Sequence, residues 1–462
     1  MRGRLISVVA LTALVVVACG RSNGSSATKP DTSSTSSGSG KSTSFGSLKN
    51  VCQTGKPSGS PTTGVSPTEI HVATFSDVGF VGRPGLNQEF FDTADTFAAW
   101  CNDRGGINGR KIVVDKRDSA LVNTKARMSE ACASDFVMVG GGSTFDQDGV
   151  VTRLQCLLPD FSGFVVSPQA RGADLVVQPL PNSLKTLQIL ALNYLGAQYP
   201  AATKNIGVLT GDISTTKIVA DQNAEAAKSL GWTIVYNDAY PAAGLTDWTP
   251  YAQKLKSQNV KGLIWVGEPE GLSGLLRSLA DIGYTLDFVR ADANHYDKKL
   301  IDLAAEALAK NKLYVQSAFL PFEKADASNA TGQYLQAFKD YNPTGKNRTY
   351  LGLQAWSAWL LFATSARSCG NDLTRTCVYN AGKKITAWTG GGLHATTTPS
   401  TGASTPCGLI LQATPKGFVI APGLKATEGP YSCSPKNAYT LTGDYGKGVT
   451  LADVGQDIKN MK

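Results

Sequence analysis

The chain has 462 residues, of which 42% are hydrophobic and 17% charged, an ordinary composition for a globular protein long enough to form two domains. The formal net charge of +8 is spread over the whole length. No basic run with interleaved aromatics marks a nucleic-acid surface, and no apolar stretch beyond Cys19 is long enough to span a bilayer.

Arg2 and Arg4 form a positive n-region, residues 5–18 form an apolar run too short to cross a membrane, and Val16-Val17-Ala18-Cys19 reads as a lipobox. The segment resembles a bacterial lipoprotein signal, although Val16 departs from the commoner Leu. The resemblance implies cleavage before Cys19, lipidation of its thiol, and an extracytoplasmic protein held on the outer face of the cell membrane by lipid alone. An ordinary signal peptide or an N-terminal anchor helix, with a chance cysteine, is the alternative. Residues 19–50 are mostly Ser, Thr and Gly and are expected to form a disordered tether. A flexible coil of roughly 30 residues reaches about 30 Å.

From residue 64 onward, short β-rich runs alternate with amphipathic helical stretches, the pattern of a parallel α/β sheet. Strands are expected over 70–75, 111–115, 136–140 and 160–166. The first helix shows one apolar face at Leu86, Phe90, Ala94, Phe97 and Cys101, and further helices are expected near 122–134 and 146–157. A second series has strands near 205–210, 233–236, 260–266, 287–290 and 313–317. Two successive α/β lobes are indicated.

Three stretches carry a resemblance to a known family: Gly64-Val65-Ser66-Pro67-Thr68-Glu69-Ile70, the run from Trp100 through Gly105-Gly106-Ile107-Asn108-Gly109-Arg110-Lys111-Ile112, and Asp372-Leu373-Thr374-Arg375 followed by Trp388-Thr389-Gly390-Gly391-Gly392-Leu393. The chain resembles the Leu/Ile/Val-binding proteins, type I periplasmic substrate-binding proteins of ABC importers. The most specific motif is structural: the glycine pair ends a helix where φ is positive, and Asn108-Gly109 turns into the next strand.

The resemblance implies two lobes, each a parallel sheet flanked by helices, joined by three hinge crossings near 179–181, 320 and 399–406. Residues 51–180 and 320–400 are expected in lobe 1, and 181–319 and 401–462 in lobe 2. It also implies a monomer that takes a small polar solute, an amino acid or related compound, and docks on an ABC permease. A ligand-sensing lipoprotein of the same fold, uncoupled from transport, is the alternative.

Ligand is expected at the carboxyl ends of the strands. In lobe 1 the loop from Gly140 to Asp146 offers Ser143 and Thr144, either as ligand contacts or as helix caps. Asp77, Phe80 and Ser167 follow other strands of that lobe. In lobe 2, Glu268 stands where amino-acid-binding relatives meet the ligand ammonium, or else serves as an exposed capping carboxylate; Asp292, Asn294 and Tyr296 form a third polar loop. The loop from Leu209 to Thr215 lacks the Tyr-Gly pair common in the family.

No cofactor and no metal are expected. There is no CxxC motif, and His71, His295 and His394 lie far apart and near no cysteine. No GxSxG, HExxH, GxGxxG or P-loop motif is present, and a Ser or Cys nucleophile lacks an evident base. Catalysis is therefore not expected.

Setting Cys19 aside for lipid leaves an even number of the nine cysteines for disulfides in an oxidising compartment. A strand order 2-1-3-4 with right-handed crossovers puts Cys132 and Cys156 on one face of the first sheet and Cys101 on the other, within reach of Cys52. Cys369 and Cys377 flank a short loop between helices. Cys407 and Cys433 then remain to pair; the alternative is that several of these, Cys101 on its apolar stripe first among them, are buried free thiols.

Overall fold

The computed structural model describes residues 41–59 and 62–461. The signal segment, Cys19 and most of the tether lie outside the described residues.

The chain first builds β1 (Glu69–Ser76), α1 (Gln88–Asn102), β2 (Lys111–Asp118), α2 (Thr124–Ser134), β3 (Val137–Val139), α3 (Gln147–Gln155), β4 (Asp160–Phe161) and the short α4 (Pro168–Arg171). These four strands form a parallel sheet in the order β2-β1-β3-β4. β4 stops at Phe161, shorter than the expected 160–166. The backbone N–H groups of Gly163 and Phe164 turn back to the Gly141 carbonyl instead of continuing the ladder, which frees residues 162–166 to line the interlobe cleft.

The second series runs β5 (Thr186–Gln188), α5 (Leu190–Gln198), β6 (Ile206–Gly211), α6 (Ser214–Ser229), β7 (Ile234–Tyr240), α7 (Thr249–Ser257), β8 (Gly262–Val266), α8 (Pro269–Asp281), β9 (Phe288–Ala291), α9 (Lys298–Leu308) and β10 (Leu313–Ser317). The chain then returns with α10 (Ala330–Tyr341), α11 (Tyr350–Ser368) and α12 (Arg375–Lys383) before β11 (Cys407–Thr414), β12 (Gly417–Ile420), β13 (Ser432–Cys433) and β14 (Ala438–Thr440). The second sheet is ordered β12-β11-β10-β9-β8-β6-β7. β11 is antiparallel to β10 because the chain arrives from the other lobe rather than through a crossover helix.

α11 is apolar around its whole circumference, and its sequence requires burial. Trp356, Trp359, Leu360 and Phe362 are all fully enclosed, packed between α1 and the first sheet, where Phe97 stacks on Trp359 at 5.4 Å.

Residues 41–50 correct the expectation of a disordered tether reaching to residue 50. Phe45 is 1% exposed, its ring 5.5 Å from that of Trp356 and 6.2 Å from Trp100. Ser47 donates to the Gly391 carbonyl. One aromatic side chain offsets the ordering entropy that the surrounding Ser and Gly residues cannot.

The last residues also depart from the expected allocation of 401–462 to lobe 2. Thr442, Gly443 and Tyr445 bind Glu225 of α6, but the chain then crosses. Val449 exchanges backbone bonds with Gln169 and Asp174, and Leu451 and Met461 join Val150 and Leu154 in a first-lobe core.

Four disulfides link Cys52 to Cys101, Cys132 to Cys156, Cys369 to Cys377 and Cys407 to Cys433, with Cα–Cα separations of 5.2, 5.8, 5.9 and 4.1 Å. Among the described residues, no helix is long and apolar enough to cross a membrane.

Candidate ligand-binding cleft

A cavity of about 350 Å³ lies where the loops beyond the strand carboxyl ends of the two sheets face one another, the position at which open α/β sheets bind ligands. Lobe 1 contributes Arg83, Glu89, Thr144 and residues 162–166. Lobe 2 contributes Thr215 and Gln222 of α6, Glu268 beyond β8, Arg290 of β9 and Asp292 just beyond it. Phe164, Leu180, Ile213, Val219 and Leu351 give the cavity an apolar side.

Four of the residues singled out from the sequence line this cavity: Thr144, Glu268, Asp292 and Asn294. Asn294 donates to the Gly267 carbonyl at 2.9 Å and so ties the loops beyond β8 and β9 together.

The structure turns the other five away from it. Asp77 is buried and accepts the Ser143 hydroxyl at 2.9 Å, the Thr144 N–H at 2.8 Å and the Leu121 N–H at 3.1 Å. Asp77 and Ser143 thus knot three loops of lobe 1 together, and burial raises the Asp77 pKa in spite of these bonds. Phe80 lies over Gly82 within its own loop. Ser167 caps α4 by accepting the Ala170 N–H, as Ser does at helix starts. Tyr296 is buried, stacks on Phe322, and donates its hydroxyl to Glu323 at 2.9 Å.

Glu268 has a partner that the sequence did not reveal. Arg83, from the opposite lobe, places Nη1 at 2.5 Å from Glu268 Oε2 and Nε at 3.0 Å from Glu270 Oε1. The Glu268 side chain is 50% exposed yet walled by protein on both sides, and this desolvation raises its pKa against the pull of Arg83. A second bridge spans the lobes through Lys346, 3.0 Å from Glu89 and 3.3 Å from Asp297. A third is the Arg171 bond to Gln222 Oε1 at 3.1 Å. The described structure is therefore a closed form.

Three further residues that line the cleft were missed in the sequence. Arg290 lies in β9 and holds Asp292 at 2.5 Å; a lone cation in the run Phe288-Val289-Arg290-Ala291 was its only signal. Gln222 sits mid-helix with no signal at all. Arg83 shares a loop with Asp77 and Phe80 but faces the cleft.

The family model described as periplasmic binding protein matches residues 191–418. The chain is 23% identical over 279 residues to a Leu/Ile/Val-binding protein homolog 1 of Brucella abortus (strain 2308), covering 59% of this chain and 71% of the relative. A fatty acid ABC transporter substrate-binding protein from Thermomonospora curvata shares the fold with a TM-score of 0.65 at 16% identity, over 78% of this chain and 93% of the other. A branched chain amino acid ABC transporter protein from Thermus thermophilus with bound valine does so with a TM-score of 0.64 at 16% identity, over 80% and 98%. The chain has the type I periplasmic-binding-protein fold, and over 59% of its length it is similar to a Leu/Ile/Val-binding protein homolog.

Proposed function

We propose that this protein is the lipid-anchored, extracytoplasmic solute receptor of an ABC importer, capturing a small solute of amino-acid size between its lobes and delivering it to a permease in the same membrane. The observation that carries this reading is the cavity of about 350 Å³ walled by the strand ends of both lobes, which leaves room for one small molecule and makes closure depend on contacts from both sides. The relatives named above are solute-binding proteins and not enzymes, and the chain is read in the same way. The lipobox at Cys19 supports the anchor.

The test is a thermal-shift screen with amino acids, their deaminated analogues and other small carboxylates. A solute that binds only the folded state raises the melting temperature by mass action, about 2.7 kcal/mol at a hundredfold excess over Kd. Small-angle scattering on the same samples reads lobe closure. A mature protein that no solute of this size stabilises, and whose radius of gyration no solute changes, overturns the reading.

A further inference from the structure

We infer that the cleft takes a carboxylate with an apolar body and no ammonium group, held by donors of the second lobe. The inference rests on the solute-receptor reading above and names the class of its ligand.

The argument comes from which polar groups of the cleft are already satisfied. All four acidic residues that line it have partners: Glu89 and Asp297 share Lys346, Glu268 holds Arg83, and Asp292 holds Arg290. Each lining carboxylate thus already faces a protein cation. Besides the Ser162 hydroxyl, the unpaired buried side-chain groups lining the cleft are donors. Gln222 is 1% exposed and Arg290 is 5% exposed, and neither Gln222 Nε2 nor Arg290 Nε has an acceptor in the protein. Gln222 cannot simply turn to satisfy itself, because its Oε1 is held by Arg171.

The start of α6 adds to the same balance. Its N-cap residue, Ile213, has no side chain able to cap, and the first N–H of that turn to find a carbonyl is that of Lys217. Thr215 and Thr216, ahead of it, line the cleft, which sets the positive end of the helix at the cavity wall. Buried donors without acceptors are costly and are recovered by a bound oxyanion. The remaining wall, with Phe164, Leu180, Val219 and Leu351, accepts hydrocarbon.

The experiment compares leucine, 4-methylpentanoate and 3-methylbutylamine by titration calorimetry on the mature protein, together with straight-chain monocarboxylates of four to ten carbons and the matching α-amino acids. The first three share a branched carbon chain and differ in the charged group. A monocarboxylate is expected to bind at least tenfold tighter than the amino acid of the same skeleton, with no binding of the amine. Arg290→Gln and Gln222→Leu are each expected to weaken it tenfold or more; melting curves confirm that each variant is folded. A zwitterion that binds tenfold tighter than its deaminated analogue overturns this inference and leaves the receptor reading standing. Binding of none of these probes counts against both.

Discussion

Arg83 on the first lobe donates to Glu268 and Glu270 on the second, at 2.5 and 3.0 Å, so the residue that sequence reasoning set aside for a ligand ammonium is a latch between lobes. Arg83 is 24% exposed and its two partners 50% and 34%, so solvent screening limits the energy of the contact. At about 1 kcal/mol, it shifts the closed-to-open ratio about fivefold. Arg83→Ala is therefore expected to enlarge the unliganded radius of gyration, and the exchange Arg83→Glu with Glu268→Arg to restore part of the compaction. An unchanged scattering profile for Arg83→Ala removes the latch.

The disulfides differ in the loops they close. Cys52–Cys101 spans 49 residues and Cys369–Cys377 spans 8, so chain-entropy reasoning gives stabilisations of about 4 and about 2.5 kcal/mol. Replacing the first pair by Ser is expected to lower the denaturant midpoint more than replacing the second. Equal losses for the two pairs show that loop entropy is not the main source of their stabilisation.

The fold was legible because strands read as short apolar runs and α1 reads as a stripe from Leu86 to Cys101. The topology of the first sheet then located the cysteines by face. The cleft was legible only where a polar residue follows a strand, as with Thr144, Glu268, Asp292 and Asn294. Sequence position does not tell which way such a residue points, and Asp77 and Ser143 satisfy one another below the surface. Arg83 and Gln222 escaped because their roles depend on the opposite lobe, which no local pattern encodes. Phe45 escaped because one aromatic residue in a Ser/Gly-rich stretch is no periodic signal.

Phe45 gives a further prediction. Its ring fills a site bounded by Trp100 and Trp356, and a buried Phe→Ala change costs about 3–5 kcal/mol. Phe45→Ala is expected to fall near the lower end, about 3 kcal/mol, because the segment can detach without opening the sheet. Protease cleavage within residues 41–50 is expected to accelerate in the variant. Full protection there shows that the segment is held by contacts other than this ring.

Two buried histidines share the pH dependence, His295 and His394, both lowered to about 4 by burial, and His394 lies between Ser357 and its own neighbour's carbonyl. Nδ1 donates to Ala395 O at 2.7 Å, Nε2 accepts from Ser357 Oγ at 2.8 Å, and Trp388 Nε1 donates to the same hydroxyl at 2.9 Å. The neutral ring is thus fully bonded, and burial lowers its pKa from 6.5 to about 4. The unfolded chain takes up a proton below about pH 6.5 and the folded one only near pH 4. The His394 contribution is therefore complete above pH 6.5 and is lost as pH falls towards 4, by an amount on the order of 3 kcal/mol. Asp146 and Asp160, which burial raises to about 6, act in the opposite sense. Their ionisation lowers stability as pH rises from about 4 to 6, which masks part of the histidine effect in the wild type. Asp146→Asn removes one of these offsets and is expected to show a steeper loss of melting temperature between pH 6.5 and 4.5 than the wild type. His394→Phe is expected to be less stable at pH 7 but to show a shallower loss. Parallel pH profiles for His394→Phe and the wild type dismiss His394 as an acid-labile group.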